Sequence, residues 1–350
     1  MAAPLSVRFV TRKFPPAMGG METYCARLVE HLGSRVNLDL VALPGRPDGS
    51  APGALRLLGF GAATAFRLLV SPSRDVVHVA DMASWPLAWI AALRGRGQRI
   101  VLSAHGSDVS YSTRGHWRGR LYGVYLRLGA RMLGNARIIA NSRFVAETAA
   151  AHGFRNVAVV APGTSLAPPA DSAAMHDSLL FAGRIMRGKG LRFLVEEVLP
   201  LLPYPPRLRV AGTIWDQDEA EALASPLVDY LGPLDPQSLA REYAGALAVV
   251  VPTIIPEGFG LVAAEGAACG GLVLASDHSG LRDAVLPGHG ILVGPSAQDW
   301  ADAIEMVRAI PPSERADRRL AASAAALRHF SWERVAGETV AIYAGPKAAN

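Results

Sequence analysis

Glu257-Gly258-Phe259-Gly260-Leu261-Val262-Ala263-Ala264-Glu265 follows the apolar run 248–255 and leads into an Ala- and Gly-rich stretch. An apolar run bounded by Pro and Gly reads as a buried strand, and the segment after it as a helix. Two carboxylates therefore stand around a strand-to-helix turn: Glu257 at the carboxyl end of the strand, Glu265 about one turn into the helix. Gly258 and Gly260 free the backbone to bring N–H groups close to a ligand. A helix N-terminus carries positive partial charge and carboxylates accept from hydroxyls, so the turn suits an anionic or polyhydroxylated ligand. On this segment alone the plainer reading, an ordinary turn whose first Glu is solvated, stays open.

Outward from this turn, apolar strands alternate with amphipathic helices along the whole chain. The pattern predicts strands at 6–11, 38–42, 76–79, 99–103, 136–140 and 157–160, with helices at 20–32, 54–69, 86–93, 117–134 and 142–152. A stretch rich in Pro, Ala and Asp at 167–177 reads as a linker. The alternation then restarts, with strands at 179–182, 207–210, 228–230, 248–251, 273–275 and 290–293 and helices at 191–199, 217–224, 236–244 and 261–269. Near-continuous apolar strands separated by helices imply parallel sheets covered on both faces. The expected fold is α/β: two doubly wound, Rossmann-like domains at 1–166 and 177–332, facing each other across a cleft. Ligands of such sheets bind beyond the strand carboxyl ends.

A chain of 350 residues, half of them hydrophobic, fits two globular domains of ordinary size. The uncharged runs 82–93 and 243–256 fall short of the roughly 20 apolar residues a bilayer span needs. Charges at Arg8, within the first strand, and at Arg12 and Lys13, just after it, leave no signal-peptide apolar region, so the expected location is the cytoplasm. Cys25 and Cys269 have no metal-ligand spacing and read as reduced, buried thiols. Charge is unevenly spread: residues 1–165 hold 20 Lys+Arg against 8 Asp+Glu, a balance of +12, and the remainder 15 against 22, or −7. Anionic lipid headgroups, a lipid pyrophosphate and nucleic acid are candidate partners of the basic half, against the plainer reading of a solvated basic surface.

Clusters that suit chemistry follow particular strands. After the first comes Phe14-Pro15-Pro16-Ala17-Met18-Gly19-Gly20-Met21-Glu22, whose paired glycines open a helix. After the strand at 99–103 comes His105-Gly106-Ser107-Asp108, and after that at 179–182 comes Gly183-Arg184-Ile185-Met186-Arg187-Gly188-Lys189-Gly190. Arg grips phosphate in a bidentate fashion and Lys acts as a point charge, and one of only three lysines in the chain stands here. Asp216-Gln217-Asp218 could be read as a metal-binding Asp-x-Asp, but it precedes a helical run, where acidic residues serve as caps.

Gly-Gly, His-Gly, Gly-Arg-x4-Lys-Gly and Glu-x7-Glu, in this order, resemble the retaining glycosyltransferases of family 4, which have the GT-B fold. The resemblance runs from Phe14 to about Glu333 and takes in Ala275-Ser276-Asp277 and Phe330-Ser331-Trp332-Glu333. It implies transfer of a sugar from a nucleotide-diphosphate donor, as co-substrate and with neither cofactor nor metal, to a lipid-linked or small-molecule acceptor, and no nucleic acid partner. By the same resemblance Arg184 and Lys189 bind the diphosphate, Glu265 the ribose hydroxyls, and Glu257 faces the transferred sugar with His105 beside it. Phe259, Gly260 and Leu261 contribute backbone amides, Gly183 frames the phosphate loop, and Gly19 with Gly20 closes over the phosphates. Tyr230-Leu231-Gly232 stands where backbone groups read the nucleobase, Glu22 and Asp108 fall on the acceptor side, and a final helix at about 333–350 crosses back onto the first domain.

This sequence departs from the family pattern where Ser279 stands for the first Gly of a pair, Asp283 for a frequent Glu, and Gly271-Leu272 for a small residue and Pro. Fixed cations suit a leaving diphosphate, whose charge grows as the glycosidic bond breaks, and a carboxylate can stabilise oxocarbenium character on the sugar. A nucleotide-sugar epimerase and a non-catalytic nucleotide-sugar-binding protein are the alternatives. In the helix 117–134, Arg120, Arg127 and Arg131 fall on one side and Leu121, Tyr125, Leu128 and Met132 beside them. That amphipathic pattern fits either a packing helix or a surface held at the inner face of an anionic membrane, with a role in cell-surface polysaccharide assembly.

Overall fold

The computed structural model describes residues 4–94, 97–113, 115–169 and 175–345. It divides the chain into two compact units, 1–163 with 332–350, and 164–331. The linker expected at 167–177 lies partly outside the described residues, at 170–174, as does the end of the expected final helix, at 346–350.

In the first unit, β1 (Ser6–Phe14), β2 (Asn37–Pro44), β3 (Val76–Val79), β4 (Arg99–Ala104), β5 (Arg137–Ala140) and β6 (Asn156–Val159) form one parallel sheet in the order β2-β1-β3-β4-β5-β6. Side chains alternate across it. Val10, Val77, Val79 and Leu102 face a core closed by helices Ala54–Val70, Trp85–Arg94 and Trp117–Met132. Val7, Phe9, Val76 and Val101 face helices Gly20–Leu32 and Trp332–Ala344 on the other side. The last helix is fastened by a buried polar link as well as by Val335 and Ala336: His78 in β3 bonds the Tyr343 hydroxyl through Nδ1 at 2.5 Å and Ser103 Oγ through Nε2 at 2.8 Å. Burial pushes the His78 imidazole down to about 3, so the link is made by a neutral ring.

In the second unit, β7 (Leu179–Ala182), β8 (Leu208–Ala211), β9 (Val228–Gly232), β10 (Ala248–Val251), β11 (Val273–Ser276) and β12 (Gly290–Val293) are again all parallel, in the order β12-β11-β10-β7-β8-β9. Strand order thus reverses between β7 and β10, and in the first unit between β1 and β3. Crevices open at such reversals, because the loops on either side diverge to opposite faces. Phe181, Leu191, Leu194, Trp300 and Ile304 lie at the heart of this core.

Four helices differ from expectation. The helix expected at 191–199 is a short turn, Leu191–Phe193, running into a wide π turn, Leu194–Val198, and then into a 3₁₀ turn, Leu199–Leu201, at Pro200, which has no N–H to continue the ladder. Helices Ala297–Ala309 and Pro312–His329 escape the sequence reading, although Ser296 and Asp299 form a capping box that announces the first. In Trp117–Met132 the side turned inward is Gly119, Gly123, Leu126, Gly129 and Ala130, while Leu121, Leu128 and Met132 point to solvent. The glycines explain the choice: a Cβ on Gly129 would lie 2.8 Å from the Trp85 ring, so only this seam lets the helix sit close. Among the described residues no helix is long and apolar enough to cross a membrane. Gly129→Ala should force that seam apart and cost about 1–3 kcal/mol, read as a lower melting temperature in calorimetry, with an unchanged melting point as the contrary result.

Candidate active site

In the second unit the loops that leave β7 and β10 meet at the strand reversal. Gly190 has φ 79°, and a Cβ there would lie 2.0 Å from the Pro252 carbonyl oxygen, so the two loops touch backbone to backbone. This contact carries Lys189 onto Glu257, whose Oε1 takes the ammonium in a short ion pair and a hydrogen bond from Thr253 Oγ1 at 2.7 Å. Both partners are half-buried. The turn 258–260 then opens helix Leu261–Ala268, which has no side-chain cap, leaving its first N–H groups for a ligand.

A third loop, after β11, locks this turn. Ser279 is the one non-glycine with positive φ among the described residues, at 51°. Its Oγ accepts the Glu257 N–H at 3.0 Å, and the Gly280 N–H donates to the Glu257 carbonyl at 3.1 Å. His278 Nε2 lies 2.7 Å from the Thr253 carbonyl and so donates to it, and Nδ1 lies 2.9 Å from Ser279 Oγ. Where the resemblance implies a glycine, a serine thus keeps the left-handed backbone and adds a bond to Glu257.

Around this centre, Arg184 is exposed and lies over the Trp215 ring at 5.0 Å. Gly183 and Gly212 bring the ends of β7 and β8 into backbone contact. Leu231 is the residue skipped in the β8–β9 pairing, a bulge that takes its backbone groups out of the ladder. Glu265 is largely buried in helix Leu261–Ala268; burial pushes its carboxyl up to about 7, while the neighbouring Tyr243 hydroxyl pulls the other way. Asp216 is occupied as a helix cap, accepting the Asp218 N–H at 3.1 Å, and Asp283 sits in the short helix Leu281–Ala284.

The first unit gathers its own polar residues at the β1/β3 reversal. Arg12 bonds Asp81 at 3.2 Å and Lys13 bonds Glu22 at 3.1 Å, so both cations of this corner are matched by carboxylates. Gly19 and Gly20 begin helix Gly20–Leu32. The His105 ring packs edge-on against Tyr24 at 4.6 Å and donates from Nε2 to the Ala80 carbonyl at 3.0 Å, leaving Nδ1 as its acceptor. Asp108, expected on the acceptor side, is buried and takes the N–H groups of His105 and Gly106 on Oδ1 and that of Met82 on Oδ2. It therefore shapes the His105 turn from beneath. Burial also pushes its carboxyl upward.

Thus Gly183, Arg184, Lys189, Leu231, Glu257, Phe259, Gly260, Leu261 and Glu265 all lie at the carboxyl ends of the second sheet, and Gly19, Gly20, Glu22, His105 and Asp108 at those of the first. Sequence reasoning missed Thr253, His278, Arg12 and Asp81. Thr253 and His278 stand in loops already singled out, one strand end away from Glu257, which is the signal that could have found them.

Two family profiles match this chain: Glycosyltransferase Family 4 over residues 18–167 and Glycosyl transferases group 1 over 176–308. The D-inositol 3-phosphate glycosyltransferase of Pseudarthrobacter chlorophenolicus is 35% identical over 237 residues, covering 60% of this chain and 56% of that protein. That of Actinosynnema mirum is 34% identical over 309 residues, covering 77% and 72%. This chain thus spans little more than half the length of some of the curated relatives it matches. Sucrose-phosphate synthase of Thermosynechococcus elongatus superposes with a TM-score of 0.78 at 20% identity, over 96% of this chain and 97% of that one. HepE of Anabaena, solved with UDP and glucose, gives 0.74 at 17%, over 98% and 100%. Twin Rossmann-like units with this strand order are the GT-B fold. The chain belongs to glycosyltransferase family 4, the group 1 glycosyl transferases.

Two measurements probe this geometry. Ser279→Ala keeps the left-handed backbone and loses the Glu257 bond, whereas Ser279→Gly loses the bond and relieves the strain, so the alanine variant should be less stable by about 1 kcal/mol; equal denaturation midpoints would count against the strained turn. For Glu265 the folded carboxyl titrates at about 7 against a usual 4.5, so the folded state holds a proton the unfolded chain has lost between those values. The resulting cost grows as pH rises through that window and is complete above it. Glu265→Gln should therefore be more stable than the parent at pH 8, by on the order of 2 kcal/mol, and equal to it near pH 4, measured by denaturation at both pH values.

Proposed function

We propose that this chain is a retaining, metal-independent glycosyltransferase that moves a sugar from a nucleotide-diphosphate donor, held by the second unit, to an acceptor held by the first. The observation that carries this reading is the meeting of Lys189 and Glu257 at the β7/β10 reversal, beside the uncapped start of helix Leu261–Ala268. A diphosphate there would face an ammonium, a guanidinium within reach on Arg184, and oriented backbone N–H groups at Phe259, Gly260 and Leu261. These groups are fixed before the reaction, so charge that develops on the leaving diphosphate is stabilised without reorganisation.

In this reading Glu257, paired with Lys189 and oriented by Thr253 and Ser279, accepts hydroxyls of the transferred sugar and supports positive charge at its anomeric carbon. Glu265 takes the ribose hydroxyls, and the free backbone of Leu231 reads the base. His105 presents Nδ1 as acceptor at the carboxyl end of β4. The diphosphate itself takes the acceptor proton as the bond to it breaks, with attack on the face it leaves, and the configuration is retained. The acceptor is lipid-linked, presented at the cytoplasmic face of the membrane in assembly of a cell-surface polysaccharide or glycolipid. A soluble acceptor is the contrary outcome, and the inositol phosphate named in the relatives is its first probe.

UDP-glucose, bound by HepE of Anabaena, and GDP-mannose are the first donors to offer, following free nucleotide. Lys189→Ala and Arg184→Ala should each lower turnover about 10²–10³-fold while melting temperature holds. Near-normal turnover in both would sink the assignment. Activity should persist in excess EDTA; its loss, with rescue by Mn²⁺, would instead give Asp216 and Asp218 a metal.

A further inference from the structure

Helices Ala54–Val70, Trp85–Arg94 and Trp117–Met132 lie side by side on one face of the first unit's sheet, and their inward side chains share one core. Their outward sides are not what a water-facing layer requires. Leu55 is 86% exposed, Leu58 70% and Phe66 66% on the first of them, with Trp117 at 69% and Leu121 at 62% on the third. Single exposed apolar residues are ordinary, but several on one layer mark a surface that meets something apolar. The charge is as one-sided: the three helices carry seven Arg and no Asp or Glu. Arg56 stands among the exposed leucines, Arg67 is paired with Asp39 of β2 at 2.7 Å, and Arg120, Arg127 and Arg131 line the third helix.

We propose that this three-helix layer docks on the surface of an anionic lipid bilayer, with the Leu55–Leu58–Phe66 side entering the boundary between headgroups and acyl chains. Apolar side chains alternating with arginines, on helices too short to span, fit a layer lying in the plane of the interface. The arginines meet anionic headgroups while their stems cover apolar surface. A second copy of this chain is a poor occupant, because a twofold contact would set arginine against arginine with no carboxylate on either layer. The placement is also useful: the three helices begin from the loops that leave β2, β3 and β4, so their first turns lie at the end of the sheet that carries Glu22, His105 and Asp108. The loop 45–53 ahead of Leu55 packs on Ala17 and Met18, next to Gly19. The inference deepens the reading of a lipid-linked acceptor, on which its purpose rests, though docking itself needs no catalysis.

Cosedimentation of the full chain with phosphatidylcholine vesicles, with and without phosphatidylglycerol, tests it. The parent should bind the anionic vesicles at low salt and leave the neutral ones. Leu55→Glu with Leu58→Glu should weaken that binding at least about tenfold, and Arg120→Gln with Arg127→Gln and Arg131→Gln by on the order of a hundredfold. All five positions are exposed, so folding and acceptor-independent hydrolysis of UDP-glucose should be unchanged. Equal binding to both vesicles, or no effect of either variant, overturns the proposal. So does self-association abolished by the leucine variant without vesicle binding, which would give the face to a second copy. Vesicle binding by a chain that turns over no nucleotide sugar would uphold the docking and remove the glycosyl-transfer reading.

Discussion

The contact between the backbones of Gly190 and Pro252 is the constraint on which the donor-side geometry rests. It exists because β7 and β10 are neighbours whose crossovers leave in opposite directions, so their loops flank one gap and meet at its floor, where the Ile254 N–H also donates to the Gly188 carbonyl at 2.8 Å. No Cβ fits there, and the chain has glycine. From that contact the ammonium of Lys189 reaches Glu257, and the order of the surrounding loops follows: Thr253 and Ser279 have one carboxylate and one amide to serve. An ion pair in a half-buried site is weak support for stability by itself. Its stronger effect is on geometry, since each member is held by loops from a different strand.

The two reversals carry opposite electrostatics. At β7/β10 one carboxylate answers Lys189, while Arg184 rests on an indole and has its charge to offer. At β1/β3, Arg12 and Lys13 are each answered by an acid, and Asp108 adds another carboxyl beneath. The first corner suits an anion. The second suits hydroxyls and a transferable proton, which is the division of labour expected of a donor and an acceptor pocket. The +12 balance of the first half is thus not concentrated at its candidate site but on its helical layer.

Much of this was legible before any coordinates. Parallel strands buried on both faces are rich in Val, Ile, Leu and Ala whatever their partners, so 76–79, 179–182 and 248–251 could be read to the residue. Gly-rich turns with charges stand out for the same reason: nothing in packing asks for them. What stayed hidden depends on tertiary contact. The left-handed Ser279 follows from the Gly258–Gly280 approach, not from any local propensity. The orientation of Trp117–Met132 turned on Trp85, which selects a glycine seam over a leucine stripe of similar strength. Asp108 looked like a ligand-facing acid because a sequence shows the charge and not the three amides that hold it.

The neutral link between His78 and Tyr343 joins residues 265 positions apart. It closes a core that contains Val335 and Ala336, and the whole of 164–331 lies between its halves in the chain. During synthesis the first unit therefore waits, with the Phe9 side of its sheet covered by helix Gly20–Leu32 but still lacking its second helix, until the ribosome has delivered the final helix. The second unit is contiguous and can close its core while that wait lasts. The order of appearance is inverted: the half translated first is the half completed last, and its exposed face is the one that a chaperone, or another unfinished chain, would meet.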